Sequence, residues 1–374
     1  MSRSCGQSSW CSWSRITWLV LVVMVGCAWP PSGRAAAPTL RDAAITRATA
    51  FLIEQGQEPD GSFSPQAGPA VTALAVTALV ESGISADHEA VSRAVGYLLS
   101  FRQPDGGIHR PESGVANYET AIALMALVAC NTDGRHAETI TAAQQYITGI
   151  QWDGGEEGRA SPNYGGAGYG SHQRPDLSNT AFLVEALRTA GAGEDDPAIQ
   201  RALVFVSRTQ NLEGPHNTLP FATKNPDGGF YYTPANGGES QAGTTPAGGL
   251  RSYGSMTYAG LKSMIYAGVA PDDPRVVAAT EWLRRHYGFA ENPGMADAGL
   301  FYYLHTAAKA LDALGSETFR DATGTEHRWR EELAAAIIAR QQPDGSWVNE
   351  NPRWFEGDAN LVTSYALLAL SRCR

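Results

Sequence analysis

Glu185, Lys262 and Lys309 each stand six residues before a glycine that ends an apolar helical stretch: Gly191, Gly268 and Gly315. Thr77 and Met125 hold the same place before Gly83 and Asn131. One level of three successive helices therefore carries an acid and two amines, with His305 one turn above Lys309 and Asp312 one turn below it. Such a set could bind an anionic or hydroxylated ligand, or furnish acid–base groups. It could equally pair internally as a salt-bridge network, because unpaired charge among apolar helices is costly. Glu119 follows Asn117 and Tyr118 at the start of another such helix. It reads either as a cavity-facing carboxylate or as a charge favoured by the helix dipole. Tyr118 and Tyr258 offer hydroxyls on the same class of helix.

The elements that position these residues are punctuated by a recurring turn. Arg340-Gln341-Gln342-Pro343-Asp344-Gly345-Ser346-Trp347 reads as a helix end, a Pro that cannot continue it, an Asp-Gly turn and an aromatic anchor. The same pattern occurs at Pro59-Asp60-Gly61-Ser62-Phe63, Pro104-Asp105-Gly106-Gly107-Ile108 and Pro226-Asp227-Gly228-Gly229-Phe230, with a variant at Gln151-Trp152-Asp153-Gly154-Gly155. Turns recurring at related places mark a repeat. From Asp42 onward apolar residues recur at helical spacing and alternating strand patterns are missing.

Six helix pairs follow: Ala43–Gln55 with Val71–Ser82, His88–Phe101 with Tyr118–Cys130, Ala137–Ile150 with Ser178–Ala190, Pro197–Gln210 with Ser255–Ala267, Pro274–Tyr287 with Tyr303–Leu314, and Arg328–Gln341 with Leu361–Arg372. The second helix of each pair is small or apolar on nearly every face, as an element buried on all sides must be. The first carries charge on one face. Six inner and six outer helices predict an all-α fold, an (α/α)6 barrel or toroid spanning residues 38–374; an open solenoid is the competing arrangement. Two connections are long, 158–170 and 227–254, and both are rich in Tyr, Gly and Pro. They read as binding loops or as tolerated insertions. Function is expected at the ends of the hairpins opposite the turns, taken to be the inner-helix starts and these two loops.

Residues 1–37 stand apart. Arg3 and Arg15 precede the apolar run 16–25, too short for a comfortable membrane span, and together they read as an export signal. Met24-Val25-Gly26-Cys27 resembles a lipobox that would lipidate Cys27, whereas Ala35-Ala36-Ala37 offers a conventional cleavage site. The expected location is the periplasm or cell envelope, with membrane contact only through the signal or a lipid anchor. The body retains Cys130 and Cys373, which read as buried small residues rather than a disulfide. The formal net charge of -10 and the lack of basic runs argue against a nucleic-acid partner.

The repeated Gln-x-Pro-Asp-Gly-Ser-Trp stretch before small-residue helices resembles the repeats of the prenyltransferase β-subunit and squalene cyclase superfamily, over roughly residues 42–374. That resemblance implies a toroid whose inner helices surround an apolar cavity and whose repeated Gln and aromatic tie outer helices to their neighbours. Trp347 is the full match; Phe63, Ile108 and Phe230 replace it elsewhere.

The chemistry of the family is harder to place on this chain. No protonating Asp-x-Asp-Asp occurs, nor an Asp-Asp-x-x-Asp for magnesium on a diphosphate. Glu194-Asp195-Asp196-Pro197 and Pro271-Asp272-Asp273-Pro274 read as helix caps. His305 resembles the histidine of the prenyltransferase zinc site, but Tyr253-Gly254-Ser255-Met256-Thr257 supplies neither Asp nor Cys, so no metal or other cofactor is expected. The glycines between 165 and 170 follow no strand, which speaks against a phosphate loop.

The resulting expectation is an exported binding or scaffold protein. Its cavity would be apolar to mixed, occupied by an isoprenoid or other apolar small molecule, or facing a protein partner. A divergent terpenoid cyclase or prenyltransferase is the first alternative. A carbohydrate-active α/α barrel using Glu119 or Asp358 is the second.

Overall fold

A computed structural model describes residues 39–155, 157–171 and 173–374. The expected export signal, both cleavage sites and Cys27 lie outside the described residues. In chain order the helical hairpins are α1 (Leu40–Phe51) with α2 (Pro69–Glu81), α3 (Glu89–Leu99) with α4 (Ala116–Ala129) and α5 (Ala137–Gly149) with α6 (Leu177–Thr189). Next comes α7 (Pro197–Arg208), then a short α8 (Pro220–Lys224) within the long loop, and α9 (Gly254–Tyr266). The last two pairs are α10 (Pro274–Arg285) with α11 (Leu300–Ala313) and α12 (Trp329–Ile338) with α13 (Ala359–Ser371). The π-helical turn Leu52–Gly56 extends α1.

Burial separates two layers. In α13 every residue from Leu361 to Leu370 is buried, and in α2 so is every residue from Pro69 to Val76. By contrast α7 buries Ala198, Ile199, Ala202, Phe205, Val206 and Ser207 and gives its other positions to the surface. Along the inner layer α2 packs on α4, α4 on α6, α6 on α9, α9 on α11, α11 on α13, and α13 back on α2. The ring therefore closes, and the fold is an all-α (α/α)6 toroid. One departure from the sequence expectation is a small antiparallel pair, β1 (Phe319–Arg320) with β2 (Glu326–His327), between α11 and α12. Two-residue strands leave no alternating pattern to read. Cys130 and Cys373 are both buried and free.

The turns act as clamps between neighbouring outer helices. In each Pro-Asp-Gly turn the Asp carboxylate accepts the N–H two residues on, as Asp344 does from Ser346 at 2.9 Å. The Gly then takes a φ of 91°, 92°, 83° or 94° at Gly61, Gly106, Gly228 and Gly345. A Cβ there would lie 2.5–2.7 Å from the carbonyl oxygen of Arg93, Ala142, Ala278 or Arg47 on the next outer helix. Glycine is required both by conformation and by proximity.

In four hairpins a Gln amide donates twice, to its own turn and to the start of the next outer helix; in the second hairpin Arg102 holds that place. Gln57 reaches Gly61 and Ala90, Gln151 reaches Gly165 and Ala198, Gln210 reaches Gly228 and Arg275, and Gln341 reaches Gly345 and Ala44. In the third hairpin the clamping glycine is thus Gly165, with φ 83° and Arg201 behind it. The Asp153-Gly154 variant does not hold this place, because an insertion separates Gln151 from its partner. Each turn is finally pinned to an inner helix by a threonine. Thr72, Thr120, Thr180, Thr257 and Thr363 accept the N–H of Phe63, Ile108, Ala167, Phe230 and Trp347.

Candidate functional site: an aromatic chamber and a buried charge cluster

Where the inner helices begin, the ring encloses a chamber of about 290 Å³. Contrary to the expectation that function lies opposite the turns, it shares the end of the ring that carries the Pro-Asp-Gly turns, since each turn feeds an inner helix. Its floor is a ring of aromatic side chains from the first two turns of four inner helices. Tyr118 meets Phe182 edge-on at 5.2 Å between centroids, Phe182 lies 6.2 Å from Tyr302, and Tyr302 meets Tyr365 edge-on at 6.0 Å. The hydroxyls of Tyr118 and Tyr365 are 3.3 Å apart, and burial pushes the Tyr118 phenol up to about 12.

Both long loops reach the chamber, the first through Tyr169 and the second through Tyr232, Gln241 and Tyr253. A third loop, before α13, adds Trp354, Phe355 and Glu356. Trp354 and Phe355 adopt left-handed backbone angles, φ 56° and 68°, a conformation that costs bulky residues free energy. Arg353 stacks on Trp354 at 4.1 Å and donates to Gln241 at 2.6 Å, tying the third loop to the second across the mouth.

Two buried carboxyls border the chamber. Glu356 lines it, and its oxygens accept the N–H groups of Phe301 and Tyr302 and the amide of Asn349. Burial pushes its carboxyl above the ordinary value against the pull of those bonds. Asp176 caps α6 one layer behind the wall, accepting from Ser178 and twice from Asn179. Burial raises it too. Asn179 lines the chamber and gives its Nδ2 to Asp176, which leaves its Oδ1 buried without a partner.

Of the residues singled out from sequence, Tyr118 lies in this chamber. Glu185, Lys262 and Lys309 come together beneath it, both ammoniums bonding the one Glu185 carboxylate, one oxygen each. Burial alone would raise that carboxyl, but the flanking ammoniums hold it well below the usual range. His305 sits above them, its ring 5.2 Å from that of Tyr365 and its Nδ1 without a hydrogen-bond partner. Burial and then Lys309 keep the imidazole well below its ordinary value.

The other candidates lie elsewhere. Asp312 pairs instead with Arg330 of α12 at 2.8 Å. Glu119 is buried against Arg110 at 2.8 Å, Asp358 caps α13, and Tyr258 packs against Tyr303. Asp196 and Asp273 cap α7 and α10. Sequence reasoning missed Phe182, Asn179, Tyr302, Tyr365 and the Trp354–Glu356 segment. The available signals were an aromatic in the first two turns of four inner helices and an aromatic pair in an otherwise polar loop.

Comparison with known proteins agrees with this architecture. The squalene-hopene cyclase C-terminal domain family matches residues 64–233. A drimenyl diphosphate synthase of Streptomyces showdoensis is 27% identical over 192 residues, which is 50% of this chain and 34% of the synthase. The chain thus matches about a third of that relative's length. Among solved structures, a type II terpene cyclase from Scytonema in complex with merosterolic acid A superposes with a TM-score of 0.52 at 18% identity, covering 89% of this chain and 96% of the cyclase. A family 76 glycoside hydrolase from a bovine Bacteroides thetaiotaomicron strain gives 0.56 at 11% identity, covering 89% and 78%. At such identities these structures speak for the fold. The repeated clamp, the closed ring and the sequence match make the chain similar to the prenyltransferase and squalene-cyclase-like superfamily of α/α toroids.

Proposed function

We propose that the chamber binds an apolar small molecule of isoprenoid type bearing one hydrogen-bond donor, and that the protein holds this ligand rather than converting it. The observation that carries this reading is the buried, unpartnered Asn179 Oδ1 within an aromatic wall. An apolar cavity with few placed polar groups is the usual form of a small-molecule site. A buried acceptor without a donor costs about 1–3 kcal/mol, which a ligand hydroxyl would recover. The likeness to a drimenyl diphosphate synthase supports the isoprenoid class.

Binding is favoured over conversion because the two carboxyls at the chamber are engaged in holding helix starts. Acid-initiated conversion of the same ligand is the second reading, favoured by Glu356, which lines the chamber and is pushed toward its neutral form by burial. The carbohydrate alternative draws less support, since Glu119 is paired with Arg110 and Asp358 caps a helix. The apolar run 16–25 and Cys27 support an exported protein, lipid-anchored or soluble in the envelope. Among the described residues no helix is long and apolar enough to cross a membrane.

Calorimetric titration with farnesol and with the matching hydrocarbon, followed by mass spectrometry of the recovered ligand, tests the reading. Saturable binding that prefers the alcohol, loss of that preference in Asn179→Leu, and unaltered ligand are expected. A cyclised product that disappears in Glu356→Gln would favour the second reading, and no binding of either compound would sink both. Palmitate labelling that vanishes in Cys27→Ala is expected of a lipoprotein; unchanged labelling removes Cys27.

A further inference from the structure

At the far end of the ring, where the inner helices finish, lies a second cavity of about 650 Å³ with a different character. Its wall includes Glu185, Lys309, Arg188, Arg372, Tyr266 and Asp312. Every carboxylate here already has a cation. Glu185 takes both lysines, Asp312 takes Arg330, and Glu81 at the rim takes Arg372 at 2.7 Å. The cations are in surplus. Two buried ammoniums share one carboxylate, leaving a positive charge without a counter-charge in a low-dielectric setting, which is expensive. Arg188 spends Nη1 on the Ala192 carbonyl at 2.7 Å and meets no carboxylate among the described residues. The Arg372 Nε is buried without an acceptor. The inner-helix C-termini supply an opposing negative field. That field is blunted where last-turn carbonyls are already bonded, as Leu79, Leu187 and Met264 are by the N–H groups of Ile84, Ala192 and Val269.

We propose that this cavity is a binding site for a small oxyanion, of phosphate or carboxylate type, which supplies the charge that Lys262 and Lys309 lack. Lys309 and Arg188 would be its direct contacts, with the Arg372 guanidinium adding to the positive field of the wall. This site stands apart from the aromatic chamber and does not depend on what the chamber holds. The competing way to relieve the surplus is a neutral lysine, and burial does lower the Lys262 ammonium.

The test is calorimetric titration of the full chain in low-chloride buffer with inorganic phosphate and, separately, with succinate, alongside thermal unfolding with each anion. Saturable binding of at least one anion and a matching rise in Tm are expected, the preferred anion naming the type. Lys309→Met leaves Lys262 and Glu185 as a balanced pair, so it should fold as well as the wild type while losing the anion response. Arg188→Gln, at the half-buried rim, should weaken binding about tenfold or more. The proposal is overturned if neither anion binds up to about 10 mM, or if binding survives both substitutions.

Discussion

The Gln341 side-chain amide lies 2.9 Å from the carbonyl oxygen of Ala44, joining the last hairpin to the first. Gln57, Gln151 and Gln210 make the same bond to Ala90, Ala198 and Arg275 further round the ring. Closure therefore uses the bond that joins ordinary neighbours. Gln341→Ala removes three side-chain hydrogen bonds, two donated by the amide and one accepted from Arg47, and should lower stability by about 1.5–4.5 kcal/mol. Chemical denaturation measures this, and an unchanged midpoint would refute the clamp.

The clamp at Gln210 lacks one bond. Arg93, Arg201 and Arg47 donate to the side-chain oxygens of Gln57, Gln151 and Gln341, whereas the corresponding outer-helix position behind Gly228 is Ala278, and the Gln210 Oε1 is buried without a partner. Ala278→Arg should supply the missing donor and raise stability by about 0.5–1.5 kcal/mol. A lower melting temperature would contradict the equivalence of these positions.

Glu185→Gln strips the counter-charge from two buried ammoniums and should cost about 3–5 kcal/mol. The carboxyl of Glu185 is held below its ordinary value in the folded state, so its contribution is complete above the unfolded value of about 4.3 and is lost as pH falls through the folded value. Acid titrations of stability should therefore be steeper in the wild type than in Glu185→Gln. Equal slopes would remove the ion pair from the balance.

His327 joins the small β-hairpin to α12, its Nδ1 3.0 Å from Glu332 and its Nε2 3.3 Å from Asp321. Burial works against its charged form, but the hydrogen bonds to Asp321 and Glu332 carry it above its ordinary value. Its contribution is thus complete below about pH 6.5 and disappears as pH rises through the folded value. Proton NMR of the imidazole should show the raised titration. His327→Gln should flatten the fall in stability across that range, and a titration at or below the ordinary value would overturn the assignment.

Much of the ring was legible because inner helices must be apolar all round and outer helices on one face, a pattern that Val71–Val76 and Leu361–Leu370 display openly. Glu185, Lys262 and Lys309 were brought together correctly from sequence because counting back from the helix ends preserves their level. The chamber was harder to see. Phe182, Tyr302 and Tyr365 sit in the first two turns of their helices, where no periodicity distinguishes a cavity wall from ordinary core. Trp354 and Phe355 depend on left-handed backbone angles imposed by tertiary contacts. Gly165 is not recognisable as a clamp glycine from sequence because its partner Gln151 lies across an insertion, and spacing fails wherever an insertion falls inside the unit it measures.

An open array of helical hairpins frays from its terminal units, which lack a neighbour on one side. The α13–α2 contact leaves no such unit here. Loss of any one hairpin exposes two faces at once, so partial unfolding gains little entropy for a doubled interfacial loss. The ring should melt as one cooperative body, with amide exchange in α2 and α13 as slow as in the helices midway along the chain.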